Sequence, residues 1–235
     1  YSFRQKLLCP ANILASARCR AASSPPQGAT AADLFTIAGY RQRADARALH
    51  DGRMYKDQVA AVVGAVRRAG GITRSAELCR AGFAKAAIAT AVASGQLLRA
   101  RRVWVAIPSV DPLLLFAAQQ GVVITCATQA QRLGLWVLDD PGMHVACSPH
   151  AGMVQVAAVV HRQQPLVPRH PSQLVDPIEN VLAVVARCLP EEQALAIWDS
   201  ALNKGLVSIA SMQRFKLDAR ARRILDLCDP FKDSG

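Results

Sequence analysis

The sequence predicts an α+β fold, and three observations carry the prediction. Residues 54–95 read as three short helices with apolar stripes at helical spacing. Two short extended runs with an arginine-rich joint follow them. Beyond Asp111, short apolar runs alternate with helical stripes, and the end of the chain is helical. Three helices followed by a basic hairpin is the winged variant of helix-turn-helix. The expected architecture is therefore an N-terminal winged helix-turn-helix, then a mixed-sheet domain with C-terminal helices.

Each element has its own justification. Asp57 is placed to N-cap a first helix whose apolar face is Val59, Val62, Val63 and Val66, ended by Gly70-Gly71. Thr73 is the next expected cap, opening a second helix over Arg74–Arg80 that Gly82 stops. A third helix runs from about Ala84 to Ser94, buries Ile88, Ala91 and Val92, and has Gly95 as its C′ residue. The extended runs are Gln96–Arg99 and Val103–Ile107. Further on, Leu113–Gln119 is expected as a helix, Val122–Cys126 as a strand, and Thr128–Leu133 as a helix begun at Thr128. Met143–Cys147 and Val154–Arg162 read as strands, and Pro165–Pro171 as a connection. Ile178, Val181, Leu182 and Val185 form one helical stripe, and Leu195, Trp198, Ala201 and Leu202 another, separated by Pro190. A last helix is expected over about Ala219–Leu227.

The domain division follows: 1–53 an extension, 54–108 the winged helix, and 109–235 an α+β domain. The first 32 residues contain no acid, Ser23–Gly28 has linker composition, and Pro10 and Asn12 interrupt the apolar run a secretory signal would need. The segment reads as a flexible extension ahead of a natural start at Met54.

Charge locates the partner. The chain is +11 overall, divided as +5 over 1–53, +7 over 54–110 and −1 over 111–235. A basic front beside a near-neutral back implies a polyanion partner for the front, here double-stranded DNA. No stretch of about 18 apolar residues escapes a charge, so no membrane span is expected. The seven cysteines are scattered without a CxxC, which fits reduced thiols in the cytoplasm and excludes a secreted disulfide scaffold.

The residues expected to meet DNA are Thr73, Arg74, Lys85, Thr90, Arg99, Arg101 and Arg102. The three hairpin arginines supply guanidinium forks for phosphate or a narrow minor groove. Thr73, Arg74 and Lys85 stand at expected helix starts, where free N–H groups favour phosphate. The face of the third helix opposite Ile88 and Val92 is Ala86, Ala89, Thr90 and Ala93. Methyl groups give little base discrimination. Phosphate contacts should dominate.

Other signals point to no catalytic residue, no cofactor and no metal. Among His144, His150, His161 and His170, only Cys147 and His150 have a ligand-like spacing, and a zinc site needs a second close pair. Ser200 sits in a helical stripe without the glycines of a nucleophile elbow. Asp139-Asp140 reads as a turn. Asp226, Asp229, Asp233 and Lys232 are too local to build a nuclease site. Trp104, Trp136 and Trp198 each fall on a periodic apolar position and read as core.

Gly71-Ile72-Thr73-Arg74, Leu78, Ala81-Gly82-Phe83, Ala91–Arg99 and Arg101-Arg102-Val103-Trp104 together resemble the N-terminal winged helix of AbiEi-type antitoxins. That family usually ends the unit with a glycine or similar residue before Val-Tyr; Arg102 and Trp104 stand at those places. Ala127-Thr128, Leu133–Trp136, Val160-His161-Arg162, Leu174–Leu182 and Ile197–Leu202 are similar to the middle region of actinobacterial members, so the resemblance covers about Met54 to Gly235. It implies a type IV antitoxin: a DNA-binding regulator that represses its own operon and opposes a nucleotidyltransferase toxin. In longer relatives a Ser-Gly such as Ser234-Gly235 leads into a very-short-patch-repair-like nuclease domain, which is expected to be absent here. The expectation is thus a non-enzymatic regulator. The alternatives are the non-catalytic front of a DNA endonuclease, or a module whose winged helix docks a protein.

Overall fold

The computed structural model describes residues 56–138 and 142–228, and over them the protein is a mixed α+β structure with small sheets. Helix α1 occupies 56–68, with Val59, Val62 and Val66 buried along one face. Asp57 lies within this helix and is not its cap. Gly70 and Gly71, both at positive φ, reverse the chain after it.

Strand β1 (Ile72–Arg74) comes next, where the sequence led us to expect a helix capped by Thr73. Helix α2 (Ser75–Arg80) starts only afterwards, with Arg74 in the cap position and no side-chain cap. The reason is long-range: Thr73 is β-branched, and its strand finds an antiparallel partner at the end of the next unit. Helix α3 (Lys85–Ala93) follows, ended by Ser94 and Gly95. Strands β2 (Leu98–Ala100) and β3 (Trp104–Ala106) form a hairpin, and β1 pairs with β3 in the order β1-β3-β2.

This sheet has two covered faces. Val105 points into the cluster that α1, α2 and α3 build with Val62, Leu78, Ile88 and Leu97. Its neighbours Trp104 and Ala106 point the other way, as the two-residue period of a strand demands. They join Ile72, Ala117, Val122, Ile124, Val145 and Leu174 in a second cluster that spans both sides of residue 108.

Helix α4 (Pro112–Gln120) opens on Asp111, whose carboxylate accepts from the Leu113 amide at 2.8 Å, and ends on Gly121 at φ 69. Strand β4 (Val123–Ile124) is shorter than expected, because Cys126 already belongs to helix α5 (Cys126–Arg132). Thr128 does not cap α5. Its hydroxyl accepts from the His144 amide at 2.7 Å and ties α5 to strand β5 (His144–Ala146). Strand β6 (Val159–His161) takes up only the end of the expected 154–162 run. The second sheet runs β4-β5-β6, antiparallel then parallel, so it is mixed.

Helices α6 (Ile178–Cys188), α7 (Glu191–Asn203), α8 (Ile209–Gln213) and α9 (Ala219–Leu227) close the chain. With α5 they bury a third cluster around Val181, Leu182, Ile197, Trp198, Met212 and Ile224. The Trp198 indole N–H donates to the Leu182 carbonyl at 3.1 Å. Helix α8 was not foreseen; Ser208 and Ser211 form a reciprocal capping box for it. Trp104 and Trp198 are core residues, but Trp136 is 38% exposed. The periodicity that suggested burial ends with α5 at Arg132, so no helix face carries this indole inward.

Among the described residues no helix is long and apolar enough to cross a membrane. Cys79, Cys126, Cys147, Cys188 and Cys228 are free. The extension expected over 1–53, the turn at Asp139-Asp140, and Asp229, Lys232 and Asp233 lie outside the described residues.

Candidate nucleic-acid interface

The β2–β3 hairpin turns through residues 101–103, with Arg101 at φ 52 in the left-handed region. Arg99, Arg101 and Arg102 are all exposed. Arg99 donates from Nη1 to the Arg102 carbonyl at 3.3 Å, which fixes the hairpin end. Arg101 folds back, and its guanidinium fills the space beside Gly121 that a side chain there would occupy.

Arg101 and Arg102 line an open groove of about 700 Å³ together with Arg74, Trp104, Gly121 and Gln173, and among the described residues no acidic one lines it. Arg74 is positioned by two neighbours. Its backbone pairs with Trp104 across β1 and β3, and its guanidinium lies over the Trp104 ring, 5.6 Å from the centroid. Its Nε is buried without a hydrogen-bond partner. Among the described residues, three guanidinium groups thus border one concave surface and no carboxylate does.

Lys85 and Arg99 line a second groove, of about 650 Å³, with Ser75, Cys79, Arg80 and Ile88. Arg80 was not singled out from the sequence. It pairs with Glu77, whose carboxyl is held down to about 2 by its hydrogen bonds with Arg80 and Ser172. The Ser172 hydroxyl donates to Glu77 at 2.6 Å, so the loop before α6 reaches back to α2. On α3, Ala86, Ala89 and Ala93 are exposed and Thr90 is half-buried. Thr73 is half-buried in β1, opposite Val105. The seven expected residues therefore divide: Arg74, Arg101 and Arg102 share one groove, Lys85 and Arg99 the other. Thr73 and Thr90 line neither.

The histidines sort differently from their sequence spacing. His150 is exposed in a turn while Cys147 is buried, and His170 accepts from the Ser172 amide within its own loop. His144 and His161 instead converge with Cys126 and Cys188, their ligand atoms all within 4.8 Å of one another. Burial, then the neighbouring Cys188, pushes the Cys126 thiol up. Burial and the His144 ring hold His161 down to about 4, in its neutral form. Sequence reasoning missed this group because the nearest two members are 17 positions apart.

The Ser200 hydroxyl accepts from the Trp136 amide at 3.1 Å. Compared with known proteins, the chain matches no protein-family model and no curated protein.

Proposed function

We propose that residues 54–108 form a winged helix and that the protein is a DNA-binding transcriptional regulator of the AbiEi antitoxin kind. The observation that carries this reading is the groove bordered by Arg74, Arg101 and Arg102 and by no acid among the described residues, while α2 and α3 line the separate groove that holds Lys85 and Arg99. Guanidinium forks match phosphate oxygens in a way that single ammonium groups do not. Helix α3 adds amides at its start with no side-chain cap to occupy them, next to Lys85. The exposed alanines of α3 favour binding that is dominated by phosphate, with modest base discrimination. The resemblance to AbiEi-type antitoxins makes the natural target the promoter of an operon that also encodes a nucleotidyltransferase toxin.

The test is titration of the full chain with duplex DNA from upstream of its own coding region, against an unrelated duplex of equal length, at two salt concentrations. Three to four phosphate contacts give a slope of log affinity against log salt near −3. The reading expects that steepness and tighter binding of the upstream duplex. Absence of binding at low salt would overturn it.

A further inference from the structure

We infer that Cys126, His144, His161 and Cys188 hold one zinc ion in a closed, structural site. The four residues come from four elements: the first turn of α5, β5, β6, and the last turn of α6. The parallel register places His161 opposite Ala146, one strand repeat from His144, so both rings share a face. His144 Nδ1 and His161 Nε2 are 3.2 Å apart, and His144 Nδ1 and Cys188 Sγ are 3.5 Å apart. A tetrahedral ion with bonds of about 2.0–2.1 Å to nitrogen and 2.3 Å to sulfur sets nitrogen–nitrogen and nitrogen–sulfur edges of about 3.3 and 3.6 Å. The observed edges match both.

Chemistry selects the metal. Two thiols with two imidazoles suit zinc, whereas magnesium and calcium require oxygen ligands, and no carboxylate belongs to the group. Binding releases the two thiol protons to solvent. The dication, two thiolates and two neutral imidazoles then sum to zero charge, which a buried site requires. Cys126 and His144 are buried, and His161 and Cys188 half-buried, so four protein ligands close the site. Cys126 also has φ 52, a conformation uncommon outside glycine, at the point where its helix begins. Backbone outliers of this kind persist where the surroundings over-determine them. The ion pins the second sheet to the α5–α6 layer.

The test is metal analysis of the full chain, produced with zinc and purified under reducing conditions without chelator. The expected result is one zinc per chain. Cobalt substitution should give the intense visible bands of tetrahedral Co²⁺ with thiolate-to-metal charge transfer. Cys188→Ser and His161→Ala should each lower zinc affinity by more than about 100-fold, the upper end of what losing an outer-shell partner costs. Cys147→Ser and His150→Ala, which remove the closely spaced pair, should keep full occupancy. Where a ligand variant fails to fold, the cobalt spectrum of the unaltered chain decides alone, because it reports coordination number and thiolate ligation directly. Three results would each overturn the site: an octahedral spectrum, undiminished zinc in Cys188→Ser, or a chain that stays zinc-free with its thiols reduced.

Discussion

The Arg101 guanidinium stands where a β-carbon on Gly121 would have to go. Gly121 closes α4 at φ 69, with its amide donating to the Ala117 carbonyl at 2.8 Å. One glycine thus serves as a left-handed helix cap and as room for a hairpin arginine. Gly121→Ala should cost about 1–2 kcal/mol, mostly from the left-handed backbone, because the arginine end can move aside. Urea unfolding measures this. An unchanged midpoint would mean that the turn relaxes freely.

Asp176 offers a sharper stability test. It is buried, and Arg169 grips it through Nε at 2.7 Å and Nη2 at 2.9 Å, with Asn180 donating at 3.1 Å. Asp176→Ala strands a largely buried guanidinium and should destabilise the fold by about 3–5 kcal/mol. Replacing both partners with apolar residues of similar size should recover most of that loss. A single-variant loss below about 1 kcal/mol would assign the pair the weight of a surface ion pair.

The purified chain should show no Mg²⁺-dependent DNA cleavage. Such a reaction needs clustered carboxylates to hold the metal and activate water. The Cys-His group that comes together among the described residues contains none. Cleavage that survives repurification and disappears on a point mutation in this chain would contradict this.

What the sequence reveals depends on how far each signal must reach. Helix α9 was legible because Ala221, Ile224 and Leu225 fall at helical spacing on its buried face, and the structure adds Asp218 as its cap. The stripes of α6 and α7 were legible for the same reason. Strand β1 was not: three residues between helices carry no period, and their pairing with β3 is decided by residues about 30 positions away. Thr128 was misread as a cap because a threonine before a helical stripe has the right chemistry, whereas its hydroxyl is used by β5. Of the seven residues expected to meet DNA, the hairpin arginines were visible as a local run. That Arg74 joins Arg101 and Arg102 depends on the β1–β3 register, which local sequence does not encode.

Thr90 separates base reading from phosphate binding. If its hydroxyl meets a base edge, Thr90→Ala should change preference among sequences by about 1–3 kcal/mol at most, with the salt slope unchanged. Selection from a randomised duplex pool by both proteins measures this. Identical selected sequences would remove Thr90 from base recognition.

The most direct test of DNA binding is the salt dependence of a chain in which Arg99, Arg101 and Arg102 are all alanine. Each lost phosphate contact removes roughly 0.9 from the slope of log affinity against log salt. The triple variant should bind every duplex more weakly, with a slope about two to three units shallower than the unaltered chain. Equal affinity and equal slope in the two proteins would contradict the hairpin as a DNA contact and favour protein docking.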